Sequence, residues 1–158
     1  MVTSLSELLS RHAGDGTIRW IGVRPARKEP VVEKTTTKIA MTGLVGDRRD
    51  RPGKRAVSLI QWEHLPVIAA LAGHDRLDPA VLRRNLAVSG INLLALRKAR
   101  FRIGTAILAG TGLCAPCSRM EEALGPGGYN ALRGHGGITA EVIQPGSVTI
   151  GDTLRPLD

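Results

Sequence analysis

Aromatic side chains are scarce in this 158-residue chain, where they make up only 3% of the residues. Hydrophobic residues reach 42% and charged residues 23%, close to the averages of globular proteins, so the core has to be built from Val, Ile, Leu and Ala. Long hydrophobic runs are missing too, because nowhere do about 18 uncharged apolar residues follow one another. The opening MVTSLSELLSRHAGDG has no basic region followed by an apolar stretch. We therefore expect one folded domain over residues 1–158, with no membrane segment and no recognisable export signal.

Cysteine is rare as well, with only Cys114 and Cys117 in the chain. Two cysteines at this short spacing cannot build the disulfide framework of a small secreted protein. A reducing cytoplasm is the simplest location for them, and there a thiol stays available for chemistry.

Acidic residues are outnumbered by basic ones, 14 against 22, which gives a net charge of +8 and a pI near 10.5. The basic residues group at 48–55, 83–84 and 97–102, and 17 of them are arginine against 5 lysines. This excess of arginine favours bidentate recognition of phosphate or carboxylate, although solvated surface charge explains about half of such runs. A nonspecific nucleic-acid-binding domain is one function that this charge would suit. The few aromatic residues and the lack of a known motif argue against specific binding.

Hydrophobic patterning predicts more strands than helices. Expected helices are an N-terminal one within 1–14 that Gly14 closes, one over 62–73 that Gly73 ends, and a start at Asp78 and Pro79. Expected strands are 17–25, one or two within 31–40, 55–61 buried on both faces, one within 86–92, two around Gly104 within 99–112, and a hairpin through QPGS plus a short strand within 138–157. The fold class is mainly β or α+β, with a barrel-like domain and a few short peripheral helices.

The segment GLCAPCSRM, residues 112–120, runs directly into a helix-start pattern. Ser118 and Glu121 have the spacing of a capping box, which makes Ser118 the predicted N-cap. Cys117 then lies at the positive end of the helix dipole with Arg119 nearby, and both favour the thiolate form. Cys114, at the end of an apolar strand, is expected to be buried.

Other uses of these two cysteines need neighbouring residues at defined spacings. A thioredoxin-type dithiol lacks its βαβ context, a zinc site lacks a second ligand pair among the four scattered histidines, and the deaminase pattern is missing. A pair of Cys117 with His135 stays open, although His135 is better explained as a hydrogen-bonding loop residue. The glycine-rich stretch 125–137 is explained equally well by tight turns and by close approach to a ligand.

Four stretches in this order together carry a resemblance to a known family: GLVGDRRDRPGKRAVSLIQWEHL, LRRNLAVSGIN, FRIGTAILAGTGLCAPCSRM and RGHGGITAEV. They resemble the MOSC domain, named for the C-terminal domain of molybdenum cofactor sulfurase, over about residues 17–156. The resemblance implies a β-barrel-like fold and binding of the pterin molybdenum cofactor, with Cys117 as sulfur carrier or molybdenum ligand. It also implies an oxidoreductase acting on N-hydroxylated compounds, with a non-catalytic sulfur or cofactor carrier as the alternative.

The same resemblance implies further positions near the cofactor. These are Asp47, Arg48, Arg83, Asn85, Ser89, Arg119 and Arg133. Arg48 and Arg83 would contact the phosphate or the pterin and Asn85 would donate to the pterin edge, while surface ion pairs and turns are the ordinary alternatives.

The resemblance covers the MOSC portion alone. With no cysteine-rich ferredoxin segment, a reductase would need a separate electron-donor protein, and a sulfur carrier would need a separate desulfurase. Nothing in the sequence supports pyridoxal phosphate. We also offer the hypothesis that Cys114 is a redox partner that forms a disulfide with Cys117 and switches the site off.

Overall fold

The computed structural model describes residues 3–157. Its strands are β1 Gly16–Val23, β2 Val32–Lys34, β3 Thr36–Ala40, β4 Gly43–Leu44, β5 Val57–Gln61, β6 Leu86–Ser89, β7 Arg100–Ile103, β8 Ala106–Leu113, β9 Ile138–Gln144, β10 Gly146–Thr149 and β11 Thr153–Pro156. Its α-helices are α1 Leu5–Ser10, α2 Leu65–Ala72, α3 Ser118–Leu124 and α4 Gly128–Leu132, with short 3-10 helices at Trp62–His64, Pro79–Leu82 and Leu93–Leu96. The mainly β content and the short helices confirm the predicted fold class.

Seven strands close into a mixed barrel. Their order is β11-β7-β8-β9-β5-β6-β1, and β1 pairs back with β11 through Gly16 opposite Leu154. Only β5 and β6 run parallel among these pairs, because α2 and the 3-10 helix at Pro79–Leu82 connect them as a crossover. Strand β2 extends the sheet beyond β1, outside the closed ring.

The hairpin predicted through QPGS is wrong. Strand β10 leaves β9 and pairs antiparallel with β3, with Gly146 opposite Ile39, in a small three-stranded sheet that also holds β4. Pro145 interrupts the ladder because it has no N–H to donate. At the same point Gly146 packs so closely on the backbone of Thr105 and Ala106 that a Cβ would not fit.

Two hydrophobic clusters hold the barrel and its helices. One fills the barrel interior, with Phe101, Leu59 and Leu86 fully buried in it. The other lies between the outer barrel wall and helices α2, α3 and α4, and it includes Ile60. Successive residues of a strand point to opposite faces, so β5 contributes to both clusters and is buried throughout, as the sequence predicted.

Local signals set most helix ends. Ser4 caps α1 by accepting from the N–H of Glu7, but the helix ends at Ser10, before the predicted Gly14. Gly73 closes α2 in the left-handed conformation, as predicted. Asp78 caps the predicted helix start, yet only one 3-10 turn follows. None of the helices in residues 3–157 has the length and hydrophobicity of a membrane-spanning segment.

Candidate functional site

A cavity of about 320 Å³ holds both cysteines and six arginines. We call it the cysteine cavity, and its arginines are Arg24, Arg48, Arg55, Arg83, Arg84 and Arg119. Ser58 of β5 and Thr139 of β9 also line it, while their strand neighbours fill the barrel interior. Because strand residues alternate between faces, the cavity lies on the outer face of the barrel wall, beside the helical cluster.

The two cysteines differ in exposure. Cys114 follows β8, is buried, and donates its backbone N–H to the carbonyl oxygen of Gly137. Cys117 is exposed and is the N-cap of α3, so its backbone is extended with φ −122° and ψ 168°. The prediction of a buried Cys114 is confirmed, and both thiols are free.

The predicted capping box of α3 is wrong. The helix begins at Ser118 rather than after it, and the Glu121 carboxylate accepts hydrogen bonds from the N–H groups of Gly127 and Tyr129 instead. Those two N–H groups hold the pKa of Glu121 below its ordinary value. Glu121 therefore caps α4, a helix inside the glycine-rich stretch, where the sequence predicts only turns or close approach to a ligand.

Arg84 is the most deeply buried arginine of the cavity, with only 7% of its surface exposed. Its Nε donates to the Gly136 carbonyl at 3.0 Å and its Nη1 to the Leu82 carbonyl at 2.9 Å. The third nitrogen, Nη2, has no hydrogen-bond partner among the described residues. Burial lowers the pKa of Arg84, while the nearby sulfurs of Cys114 and Cys117 oppose that shift. An unpaired buried guanidinium nitrogen is expensive, and an acceptor that reached it would remove this cost.

The other arginines add to the positive charge. Arg83 adopts a left-handed backbone at the end of its 3-10 turn, with φ 57°. Burial and the charges of Arg24, Arg119 and Arg48 lower the pKa of the Arg83 side chain. A guanidinium stays charged at neutral pH, so this crowding is a repulsion that an anion would relieve.

A buried ion pair supports the wall of the cavity. Asp47 accepts from Arg24 through both oxygens, at 3.1 Å to Nε and 2.9 Å to Nη2, and from the Arg24 backbone N–H at 2.7 Å. Burial raises the pKa of Asp47, but these hydrogen bonds and the charge of Arg24 outweigh it, so the pKa lies below 3.8. Asp47 therefore positions Arg24 rather than lining the cavity itself.

Asn85 lies behind Asp47 and is fully buried. Its Oδ1 accepts from the backbone N–H of Ser58, and its Nδ2 donates to the Gly22 carbonyl and to Asp47. The amide is thus used inside the protein, behind the cavity rather than on its wall. Its role in the structure is to tie β1, β5 and the loop after β4 together, which differs from the expected contact with a pterin edge.

Loss of the Asp47 carboxylate should destabilise the protein. We expect Asp47→Asn to lower the free energy of unfolding at pH 7 by about 2–4 kcal/mol, because it leaves Arg24 without its buried partner. The folded-state pKa is depressed, so this stabilisation is present above pH 4 and is lost as the pH falls through the folded-state pKa. Urea unfolding at pH 7 and at about pH 3 should show the difference from wild type shrink at the lower pH. An equal loss in the exposed control Glu122→Gln would contradict this role for Asp47.

The remaining predicted site residues separate into two groups. Arg48, Arg83, Arg119 and both cysteines line the cavity. Ser89 pairs with Thr17 in the barrel, and Arg133 is exposed and donates to Asn130, so neither lines it. Sequence reasoning missed Arg24, Arg55 and Arg84, although Arg84 lies between two predicted positions in LRRNL.

The glycine-rich stretch is explained mainly by packing. A Cβ on Gly136 would overlap the carbonyl oxygen of Cys114, and one on Gly137 would overlap that of Leu59. His135 places its Nδ1 3.2 Å from Nδ1 of His64 and lines a different cavity with it. The structure therefore pairs His135 with His64 rather than with Cys117.

Comparisons with known proteins agree with this architecture. A family model described as MOSC domain matches residues 11–155. Among solved structures, the YuaD protein from Bacillus subtilis is 20% identical with a TM-score of 0.78, covering 91% of this chain and 96% of that chain. YiiM from Geobacillus stearothermophilus is 18% identical with a TM-score of 0.70, covering 90% and 75%. YiiM from Escherichia coli is 19% identical with the same TM-score, covering 90% and 70%. Identities this low show a shared fold alone, and no curated protein matches the chain.

Proposed function

This chain belongs to the MOSC domain family, and we propose that it binds the molybdenum cofactor in the cysteine cavity and reduces N-hydroxylated compounds there. One observation carries the proposal. An exposed thiol, Cys117, shares a cavity with six arginines, one of which is buried and has a nitrogen without a partner among the described residues.

The donor set of the cavity suits this cofactor. A cysteine thiolate is a soft ligand appropriate for molybdenum, and Arg84 Nη2 lacks the acceptor that a phosphate or dithiolene group would provide. Within residues 3–157, no three side chains of His, Cys, Asp or Glu come together as metal ligands. A metal at Cys117 would therefore take its remaining ligands from a bound molecule, as a metal already chelated by a pterin does.

Each residue has a distinct role in this proposal. Cys117 ligates the metal, and Arg48, Arg83, Arg84 and Arg119 bind the phosphate and the pterin. Asp47 and Asn85 hold Arg24 and the neighbouring wall in place, outside the cavity itself. When bound, the cofactor supplies the two-electron redox chemistry.

The net reaction shows that the proposed reductase needs a source of electrons. Conversion of R–NHOH to R–NH2 consumes two electrons and two protons and releases one water molecule. No group in the cysteine cavity supplies electrons repeatedly, so they come from a separate electron-donor protein. The other proposal, a sulfur or cofactor carrier, needs no electron donor but needs a desulfurase that delivers a persulfide to Cys117.

The test uses protein expressed in a host that makes the cofactor. We expect about one molybdenum and one pterin per chain, and turnover of an N-hydroxylated purine with a chemically reduced viologen dye as electron source. A persulfide on Cys117 without turnover would favour the carrier. Protein with neither molybdenum, pterin nor persulfide would contradict both.

A further inference from the structure

A second arginine-lined cavity adjoins the cysteine cavity. It has a volume of about 470 Å³, and we call it the arginine cavity. It is lined by Arg24, Arg48, Arg49, Asp50, Arg51 and Arg55. Arg24, Arg48 and Arg55 line both cavities, so a single ligand could extend from one into the other.

Most arginines of the arginine cavity have no carboxylate partner within residues 3–157. Arg24 pairs with Asp47, but none of the other four arginines has a carboxylate within ion-pair distance in residues 3–157. Asp50 is the only acidic residue of the lining. Like charges on one concave surface repel one another. Arginines that serve only solubility are better spread over the surface among acidic residues.

The loop between β4 and β5 carries four of these arginines, and hydrogen bonds between its backbone and neighbouring segments hold it in place. Arg48 N–H donates to the Arg24 carbonyl at 2.7 Å, and the Thr111 hydroxyl donates to the Lys54 carbonyl. Arg49 Nε donates to the Arg51 carbonyl at 3.1 Å, while its Nη2 packs against Gly53, where a Cβ would collide with it. This packing fixes the direction of the Arg49 guanidinium, so its two Nη nitrogens are oriented before a ligand arrives.

A cofactor phosphate in the cysteine cavity leaves part of this arginine set unused. Arg49 and Arg51 line only the arginine cavity. A phosphate bound in the cysteine cavity therefore leaves their two charges without an anion. Guanidinium groups around a concave surface are suited to phosphate oxygens, which accept several N–H groups at once.

We propose that the arginine cavity is a second phosphate subsite, for a phosphate ester additional to the one held beside Cys117. This inference rests on the proposed function, because the cofactor is taken to occupy the cysteine cavity. Two sources have the required chemistry. The phosphate belongs either to a phosphorylated substrate, such as a nucleotide with an N-hydroxylated base, or to the nucleotide half of a dinucleotide form of the cofactor.

The binding test uses AMP and adenosine as probes on cofactor-free protein at fixed ionic strength, so it does not depend on molybdenum. We expect Arg49→Gln/Arg51→Gln to weaken AMP binding by about 10- to 100-fold, as loss of charged hydrogen bonds does. Adenosine binding should not change. The matched control is Arg100→Gln/Arg102→Gln, which removes the same charge from exposed positions on β7.

Two results would overturn the subsite. One is unchanged AMP affinity in the Arg49/Arg51 variant, which would place AMP in the cysteine cavity. The other is an equal loss in the control, which would show attraction by net charge alone. A third result separates the two proposals. If the Arg49/Arg51 variant loses AMP binding but the wild-type protein never acquires molybdenum, the subsite is supported and the proposed function is contradicted.

Analysis of the loaded protein separates the two sources. One equivalent of CMP or GMP released by acid hydrolysis per molybdenum would assign the subsite to a dinucleotide cofactor. Molybdenum with pterin but no released nucleotide would assign it to the substrate, and AMP should then bind the loaded protein as well.

Discussion

Replacing Cys117 with serine should reduce the molybdenum that co-purifies with the protein by more than about tenfold, because a neutral hydroxyl is a poor substitute for a soft thiolate ligand. The fold should survive, since Cys117 is exposed and its side chain makes no capping hydrogen bond. Serine is also a favoured N-cap residue, so α3 should be retained or slightly stabilised. Metal analysis beside a thermal unfolding curve measures both effects on the same sample.

Cys114→Ser is the matched control for this experiment. It removes the other thiol of the cavity, and we expect molybdenum to be retained, with a moderate loss of stability because Cys114 is buried. Equal loss of metal in both variants, or retention in Cys117→Ser, would contradict the assignment of the ligand. Cys114→Ser also tests the hypothesis of a Cys114–Cys117 disulfide. An unchanged sensitivity of this variant to oxidant would rule that disulfide out.

Much of the secondary structure could be predicted because its signals are local. The run 55–61 has apolar residues on both faces, and the structure buries β5 between the barrel interior and the helices. Gly73 and Asp78 act within one turn of their own positions, which is the range over which capping operates. The closure of the barrel by β1 and β11 joins residues about 140 positions apart, and no local pattern encodes such a pairing.

The two wrong predictions, the capping box and the QPGS hairpin, also depend on contacts beyond the local sequence. Ser118 and Glu121 have the spacing of a capping box, but Glu121 is drawn to the free N–H groups of α4, whose position depends on the chain reversal at Gly125 and Gly127. QPGS has the composition of a hairpin turn, but β3 offers β10 a better partner in space.

The candidate site was only half visible in the sequence. Cys117 stood out through its own neighbourhood, and the predicted Arg48, Arg83 and Arg119 do line the cavity. Arg24 and Arg84 became recognisable only through contacts made far along the chain, with Asp47 and with the Gly136 carbonyl. A buried, unpaired guanidinium is a property of packing, which a list of residues cannot display.

Replacement of Arg84 is the second change for which we expect a large effect, in this case on anion binding. We expect Arg84→Met to weaken binding of inorganic phosphate and retention of the pterin by about 30-fold or more, as truncation of a buried charged partner does. The free energy of unfolding of the ligand-free protein should change by no more than about 2 kcal/mol. Two carbonyl groups, of Leu82 and Gly136, lose a donor, but the cost of burying an unpaired charge among like charges disappears with it.

Separating the two readouts is what distinguishes a binding residue from a structural one. Urea unfolding gives the stability, and phosphate titration with pterin analysis gives the binding. Arg84→Lys keeps the charge without the planar fork and should bind at an intermediate level, because one ammonium cannot reach Gly136, Leu82 and the ligand together. Arg133→Met, at an exposed arginine outside the cavity, should change neither quantity. If Arg84→Met unfolds easily yet binds phosphate as wild type does, Arg84 serves the packing of the loop at Gly136, and the cavity owes its anion affinity to its exposed arginines.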